Sequence, residues 1–203
     1  MYFYIYDSFL QDKKYVKTIS EIEARLIDLS IQGRSSKLNI LNDMREMIVD
    51  AVKHGAETVV VLGDDKTVSR AVNTVASVDA TLGIIPIGGG THTLAEHLGI
   101  PYGLAACDIL SKRIRERIDV GKISGGNFVI FYAKSLSRDI KIVSPDNAYA
   151  ITPISPQTEI YLCNFRPLEV QLEIGARASF FMPQDGRFEL IVHSPMHQSL
   201  INK

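Results

Sequence analysis

Thr58-Val-Val-Val-Leu62 carries no charge and no alternation of polar and apolar residues, and it runs straight into Gly63-Asp64-Asp65-Lys66-Thr67. A strand that is apolar on both faces must be covered on both faces, which is the situation of a parallel sheet between helices. The same pattern returns at Thr81–Pro86 (TLGIIP), which ends in Ile87-Gly88-Gly89-Gly90-Thr91-His92. Helical spacing is expected over Thr67–Val75, between the two strands, and from about Thr91 to Leu98 after the second. Two buried strands, each closed by a glycine turn that opens a helix, confine the first half of the chain to an α/β architecture.

The remaining segments extend that pattern. Tyr2–Tyr6 reads as a first buried strand. Tyr15–Leu29 reads as a helix through Val16, Ile19, Ile22, Leu26 and Leu29, and Gln32–Lys37 reads as a loop. Asn39–His54 forms a second helix, buried through Leu41, Met44, Ile48, Ala51 and Val52, with Gly55 as its C-terminal cap. Ala106–Arg117 is expected to add another helix. Near Asp119 the texture changes, and six of the eight prolines lie between Pro145 and Pro195. Short apolar or alternating runs follow at Phe128–Ala133, Ile140–Val143, Ala148–Ile151, Glu159–Leu162, Val170–Ile174, Ala178–Phe181 and Phe188–Val192. Turn signals such as Ser144-Pro-Asp-Asn and Gln184-Asp-Gly separate them. The expectation is a Rossmann-like parallel α/β domain over 1–118, then a small β-sandwich-like domain over 119–203.

Composition narrows the functional classes. In 203 residues, 22 basic side chains face 23 acidic ones, so no global excess of positive charge exists to neutralise a nucleic acid. No stretch approaches the ~18 apolar residues of a membrane helix. The two cysteines, Cys107 and Cys163, lack metal-ligand spacing and read as packed thiols in a reducing cytoplasm. The apolar strands of the second half leave edges that would suit pairing between chains.

Chemistry is expected where ligands collect in parallel sheets, at the carboxyl ends of the strands. A helix N-terminus offers unpaired N–H groups and partial positive charge to a phosphate, and glycines bring backbone amides close to it. Gly63–Thr67 and Gly88–His92 both meet that description. The bland reading of the first is a tight turn with Asp65 as a helix cap, and that of the second a loop without a ligand. His92 and His97 read as surface helix residues, and His54 as a cation near a helix C-terminus. Lys112-Arg113-x-Arg115-x-Arg117, the one local basic run, reads as a solvated helix face that would also suit anionic headgroups.

These motifs resemble those of the diacylglycerol-kinase catalytic domain, whose fold is shared with NAD kinases. Against that family's Gly-Gly-Asp-Gly-Thr, Gly63, Asp65 and Thr67 agree, while Asp64 and Lys66 replace glycines. Against its second motif, Pro86, Gly88, Gly89, Leu94, Ala95, Leu98, Gly99 and Pro101 agree; Gly90, His92 and Glu96 stand for threonine, asparagine and arginine. Ile118-Asp-Val-Gly121 looks like the family's entry into its β domain, and Gln184-Asp185-Gly186-Arg187-Phe188-Glu189 resembles its Asp-Gly-x-Leu-Asp segment. The family's Asn-Pro-x-Ser-Gly loop after the first strand is replaced by Asp7-Ser8-Phe9-Leu10, and the β domain is short.

The resemblance implies ATP-dependent phosphoryl transfer to a hydroxyl of a lipid or another small molecule. Asp65 would organise Mg²⁺, Thr67 would hold a phosphate, and Gly88, Gly89 and Gly90, with Thr91 and His92 beside them, would line the triphosphate. Asp185, with Glu189 as second choice, would be the general base. Asp64 opposes this arrangement, because two unit charges 4 Å apart repel by roughly 4 kcal/mol at an effective dielectric of 20. Lys66 would offset that charge by turning inward, at a cost of ~1–2 kcal/mol were its backbone left-handed. The alternative is a non-catalytic descendant that binds a nucleotide or partner. An NAD-kinase-like reading lacks a counterpart for that family's second dinucleotide motif.

Overall fold

Four strands pair in parallel in a computed structural model of the chain, which describes residues 1–39, 42–122, 128–130, 132–135, 142–143, 150–152, 159–165 and 183–193. They are β1 (Tyr2–Tyr6), β2 (Arg34–Lys37), β3 (Thr58–Gly63) and β4 (Thr81–Pro86), in the order β2-β1-β3-β4. Successive side chains of a strand point to opposite faces. Tyr4, Tyr6, Val60 and Leu62 therefore enter one core and Phe3, Ile5, Val59 and Val61 the other. All eight are buried, and each such side chain is worth about 1.5–3 kcal/mol relative to exposure.

Helices cover both faces, as the doubly apolar strands require. The first core takes Ile22 and Leu26 from α1 (Val16–Asp28) and Ala106 and Cys107 from α5 (Ala105–Ser111). The second takes Met44, Ile48 and Ala51 from α2 (Met44–Lys53) and Ala71 from α3 (Asp65–Val75). The short α4 (Thr93–His97) follows β4. Gly55 has φ +88° just beyond α2, the left-handed backbone its capping role needs.

Several elements differ from the sequence expectation. Arg34–Lys37 is a strand, not a loop. Its Arg-Ser-Ser-Lys is hydrophilic because β2 is the sheet's edge, and pairing with β1, not an apolar face, defines it. The second helix starts at Met44, where Asp43 caps it by accepting the Arg45 N–H at 2.9 Å; Leu41 lies outside the described residues. The last helix stops at Ser111, and Arg113 then takes φ +56°. The basic run is therefore not a helix face. A right-handed helix cannot run through a residue in that left-handed backbone.

The chain divides into two compact units, Met1–Val129 and Ile130–Lys203. In the first, the sheet is followed by a small antiparallel ladder of β5 (Gly121–Lys122) and β6 (Phe128–Val129). In the second, β7 (Tyr132–Ser135), β10 (Glu159–Cys163) and β11 (Glu189–His193) form an antiparallel sheet in the order β11-β10-β7. β8 (Ile142–Val143) and β9 (Ala150–Ile151) form a separate antiparallel pair. The run expected as one strand over Phe128–Ala133 is split between β6 and β7. The runs at 170–174 and 178–181 lie outside the described residues. Cys107 and Cys163 are buried free thiols. Burial raises both pKa values, to about 11 and about 12, so they pack as apolar groups. Among the described residues no helix is long and apolar enough to cross a membrane.

Candidate functional site

Because the four strands are parallel and in register, their carboxyl ends lie together. Gly63 pairs with Pro86, and Tyr6 with both Leu62 and Lys37. Three segments therefore meet at one end of the sheet: Asp7–Leu10, Gly63–Thr67 and Ile87–His92. The Ile87 N–H donates to the Gly63 carbonyl at 3.1 Å, and the Asp65 N–H to the Thr91 carbonyl at 2.9 Å.

Asp64, not Asp65, caps α3. Its backbone is extended (φ −99°, ψ −177°), and Oδ1 accepts the N–H groups of Lys66 and Thr67, both at 3.1 Å. The Val68 N–H donates to the Asp64 carbonyl. The first four amides of α3 thus all have protein partners: the Thr91 carbonyl takes one, Asp64 Oδ1 two and the Asp64 carbonyl the fourth. Where the resemblance led us to expect a phosphate, a carboxylate of the chain itself is seated.

Asp65 caps a different helix. Its Oδ2 accepts the Thr93 N–H at 2.8 Å and its Oδ1 the Leu94 N–H at 3.2 Å, which are the first amides of α4. The two turns are thereby clasped, and Asp65 is fixed between them. Gly90 allows this approach, since a Cβ there would stand 2.7 Å from that of Asp64 and run into its carboxylate. Lys66 lies in the first turn of α3 with its side chain exposed. Its backbone is helical, so the left-handed strain considered for it does not arise.

Thr67 is 1% exposed. Its hydroxyl donates to Asp7 Oδ2 and lies 3.1 Å from Asp64 Oδ1. Asp7 is itself buried, with Oδ1 accepting from the Phe9 N–H and the Ser8 hydroxyl. Thr67 thus joins the end of β1 to the start of α3.

The glycine loop is partly covered. Gly88 has φ +112°, and a Cβ there would lie 2.5 Å from the Phe9 ring. Its N–H donates to the Tyr102 hydroxyl at 2.9 Å, and the same hydroxyl donates to its carbonyl at 3.1 Å. His92 Nε2 lies 3.3 Å from that carbonyl, and its ring meets the Tyr102 ring edge-on. Gly89 and Thr91 are exposed, and a Cβ at Gly89 would meet nothing within 4 Å. Sequence reasoning passed over three participants. Asp7 obeys the strand-end rule that found Gly63 and could have been found by it. Phe9 and Tyr102 carried no local signal.

A profile described as the diacylglycerol kinase catalytic domain matches residues 3–123, which take in the parallel sheet from Phe3 onward and both glycine turns. The chain belongs to the diacylglycerol kinase catalytic domain family. It is 39% identical over 88 residues to proteins named diacylglycerol kinase from Mycobacterium tuberculosis, strains CDC 1551 / Oshkosh and ATCC 25618 / H37Rv. Those matches span 42% of this chain and 28% of each relative. The crystal structure of a diacylglycerol kinase from Bacillus anthracis str. Sterne superimposes with a TM-score of 0.74 at 18% identity, covering 94% of this chain and 74% of that one. At that identity the likeness concerns the fold.

In the terms of this family, the Gly63–Thr67 motif keeps its aspartate and threonine, and both are held by other parts of the first unit. Asp185 and Glu189 belong to the second unit. Asp185 Oδ1 accepts the Arg187 N–H at 2.9 Å, in a turn where Gly186 has φ +74°. Glu189 opens β11 with its pKa raised, by burial first and also by the charge of Asp185, against the lowering effect of its own backbone hydrogen bond. Among the described residues no group of three or more His, Cys, Asp or Glu side chains is placed to hold a metal ion. Mg²⁺ does not demand such a cage, since one or two carboxylates and substrate phosphates commonly bind it. Asp65, half-buried and with acceptor capacity beyond its two amide partners, fits that manner of binding.

Proposed function

We propose that this chain binds ATP with Mg²⁺ at the turns closing β3 and β4 and transfers a phosphoryl group to a hydroxyl of a lipid such as diacylglycerol, or of another small molecule. The observation that carries this reading is the clasp of Asp65: the family's motif carboxylate is fixed between the two glycine turns at the carboxyl ends of a parallel sheet. Asp65 would hold Mg²⁺ or its water, and Gly89 and Gly90 with Thr91 would line the triphosphate. Asp185, with Glu189 second, would take the hydroxyl proton. Mg²⁺ would offset the phosphate charge. The buried thiols suit a reducing compartment such as the cytoplasm.

Asp64 and Tyr102 favour a second reading, in which the fold binds a nucleotide or partner without transfer. The Asp64 carboxylate already fills the helix start, and the Tyr102 hydroxyl already occupies the Gly88 amide.

A thermal-shift titration with ATP, with and without Mg²⁺, separates the two when run beside transfer from labelled ATP to diacylglycerol micelles. ATP at 100 times its dissociation constant stabilises the folded state by about 2.7 kcal/mol. Transfer that Asp65→Ala abolishes supports the first reading. Binding without transfer, with Asp65→Ala costing only the cap, about 1 kcal/mol, supports the second. Asp64→Gly restores the family's residue and frees two amides, so it is expected to tighten ATP binding by about tenfold, or ~1.4 kcal/mol. No nucleotide shift in either the native chain or Asp64→Gly sinks the first reading and the nucleotide form of the second, and leaves partner binding as the form to test.

A further inference from the structure

At the opposite end of the β4 edge lies a cavity of about 140 Å³ that the proposed reaction does not use. It begins at the rung formed by Tyr2, Thr58 and Thr81. That rung is about 16 Å along β3 from Gly63, at ~3.3 Å per residue. β4 lines one side through Leu82, Gly83 and Ile84, with Gly83 on the face toward α5 and Leu82 packed against the second core, and Ile109 and Leu110 of α5 line another. The chain leaving α5 completes the lining with Arg113, Ile114 and Arg115.

Two features give this cavity a chemical preference. Its walls are chiefly aliphatic, and its volume is close to the ~150 Å³ of an engineered cavity that accepts benzene, so it holds roughly six carbon atoms. Arg113 and Arg115 reach it without forming an ion pair among the described residues. Arg113 is held at φ +56°, and Ile114 between the two arginines is 76% exposed. A guanidinium beside an apolar surface is suited to a carboxylate or phosphate, which it binds through paired N–H donors.

We propose that this cavity is a binding site for a single-chain anionic amphiphile, with part of the alkyl chain between β4 and α5 and the anionic head on Arg113 and Arg115. The proposal is independent of the kinase reading, because it uses no residue of the glycine turns.

The test is isothermal titration of the full chain, below the micellar concentration, with decanoate, decyl phosphate, decanol and decyltrimethylammonium. Decanoate or decyl phosphate is expected to bind at least tenfold more tightly than the other two. The double variant Arg113→Asn, Arg115→Gln, with Asn chosen because it tolerates positive φ, is expected to weaken that binding about tenfold and remove the preference over decanol. Arg117→Gln, which removes a nearby charge outside the cavity, should leave it within twofold. Ile109→Trp, at a partly exposed position of the lining, should reduce binding of all four by filling the space, while thermal melting reports that the variant is folded. Equal affinity for decanol and the anions overturns the proposal. So does an equal loss from Arg117→Gln, which would mark a diffuse charge effect, and so does the absence of binding by either anion.

Discussion

Asp64 and Asp65 are neighbours with the same side chain, and they perform different work because their backbones differ. Asp64 stands in extended conformation before α3 and closes its own helix. Asp65 is already helical and reaches across to α4. The sequence singled out both residues, and its bland reading of the turn named Asp65 as the cap of the helix that Asp64 closes. Thr67 shows the same limit: the resemblance gives its hydroxyl to a phosphate, and the structure shows that hydroxyl donating to the buried Asp7, a partner the motif does not name. Thr67→Val removes the donor and leaves a buried carboxylate oxygen short of a partner, which is expected to cost about 1–3 kcal/mol in denaturant unfolding. Thr67→Ser keeps the hydroxyl and is expected to lose less than half as much.

At the scale of elements, α1 separates what packing contributes from what charge contributes. Ile22 is completely buried against the sheet, so Ile22→Ala is expected to cost about 2–5 kcal/mol through lost burial and the cavity left behind. Three residues on, Arg25 pairs with Asp108 of α5, with both side chains over a third exposed, at 40% and 47%. Solvent screens such a pair, so Asp108→Asn is expected to cost less than about 1 kcal/mol by the same unfolding measurement. The apolar spacing of α1 was legible because a helix buries one stripe. The strand character of Arg34–Lys37 was not, because a polar edge strand exists only through its neighbour. The end of α5 at Ser111 was equally hidden, since apolar spacing runs on past the left-handed backbone at Arg113.

For the whole molecule, the acidity of Glu189 predicts a pH dependence of stability. A carboxyl whose folded pKa is raised stabilises the fold fully only below its unfolded pKa, and that contribution is lost as pH rises through the folded value. Glu189→Gln stays neutral throughout. The variant is therefore expected to melt above the native chain at pH 7 and level with it at pH 4, with the gap opening as pH rises past the ordinary glutamate range. Melting temperatures of the two chains at both pH values check this.

The sequence by itself determined the parallel, doubly covered sheet, the two glycine turns at its carboxyl end and the family those turns belong to. The sheet and its turns follow from local pattern, namely uncharged β runs, helical spacing, and glycines at fixed distances after a strand, and the family follows from the resemblance of those turns to its motifs. Tertiary structure alone decided which partners the motif's polar groups take. A carboxylate has several acceptor positions and a hydroxyl a single proton, and their neighbours come from Asp7, Thr93 and Tyr102, brought to the same strand ends only when the sheet assembles. Hydrogen-bond choice is made at contact distance, and contact between residues 7 and 67, and between 65 and 93, is a property of the fold.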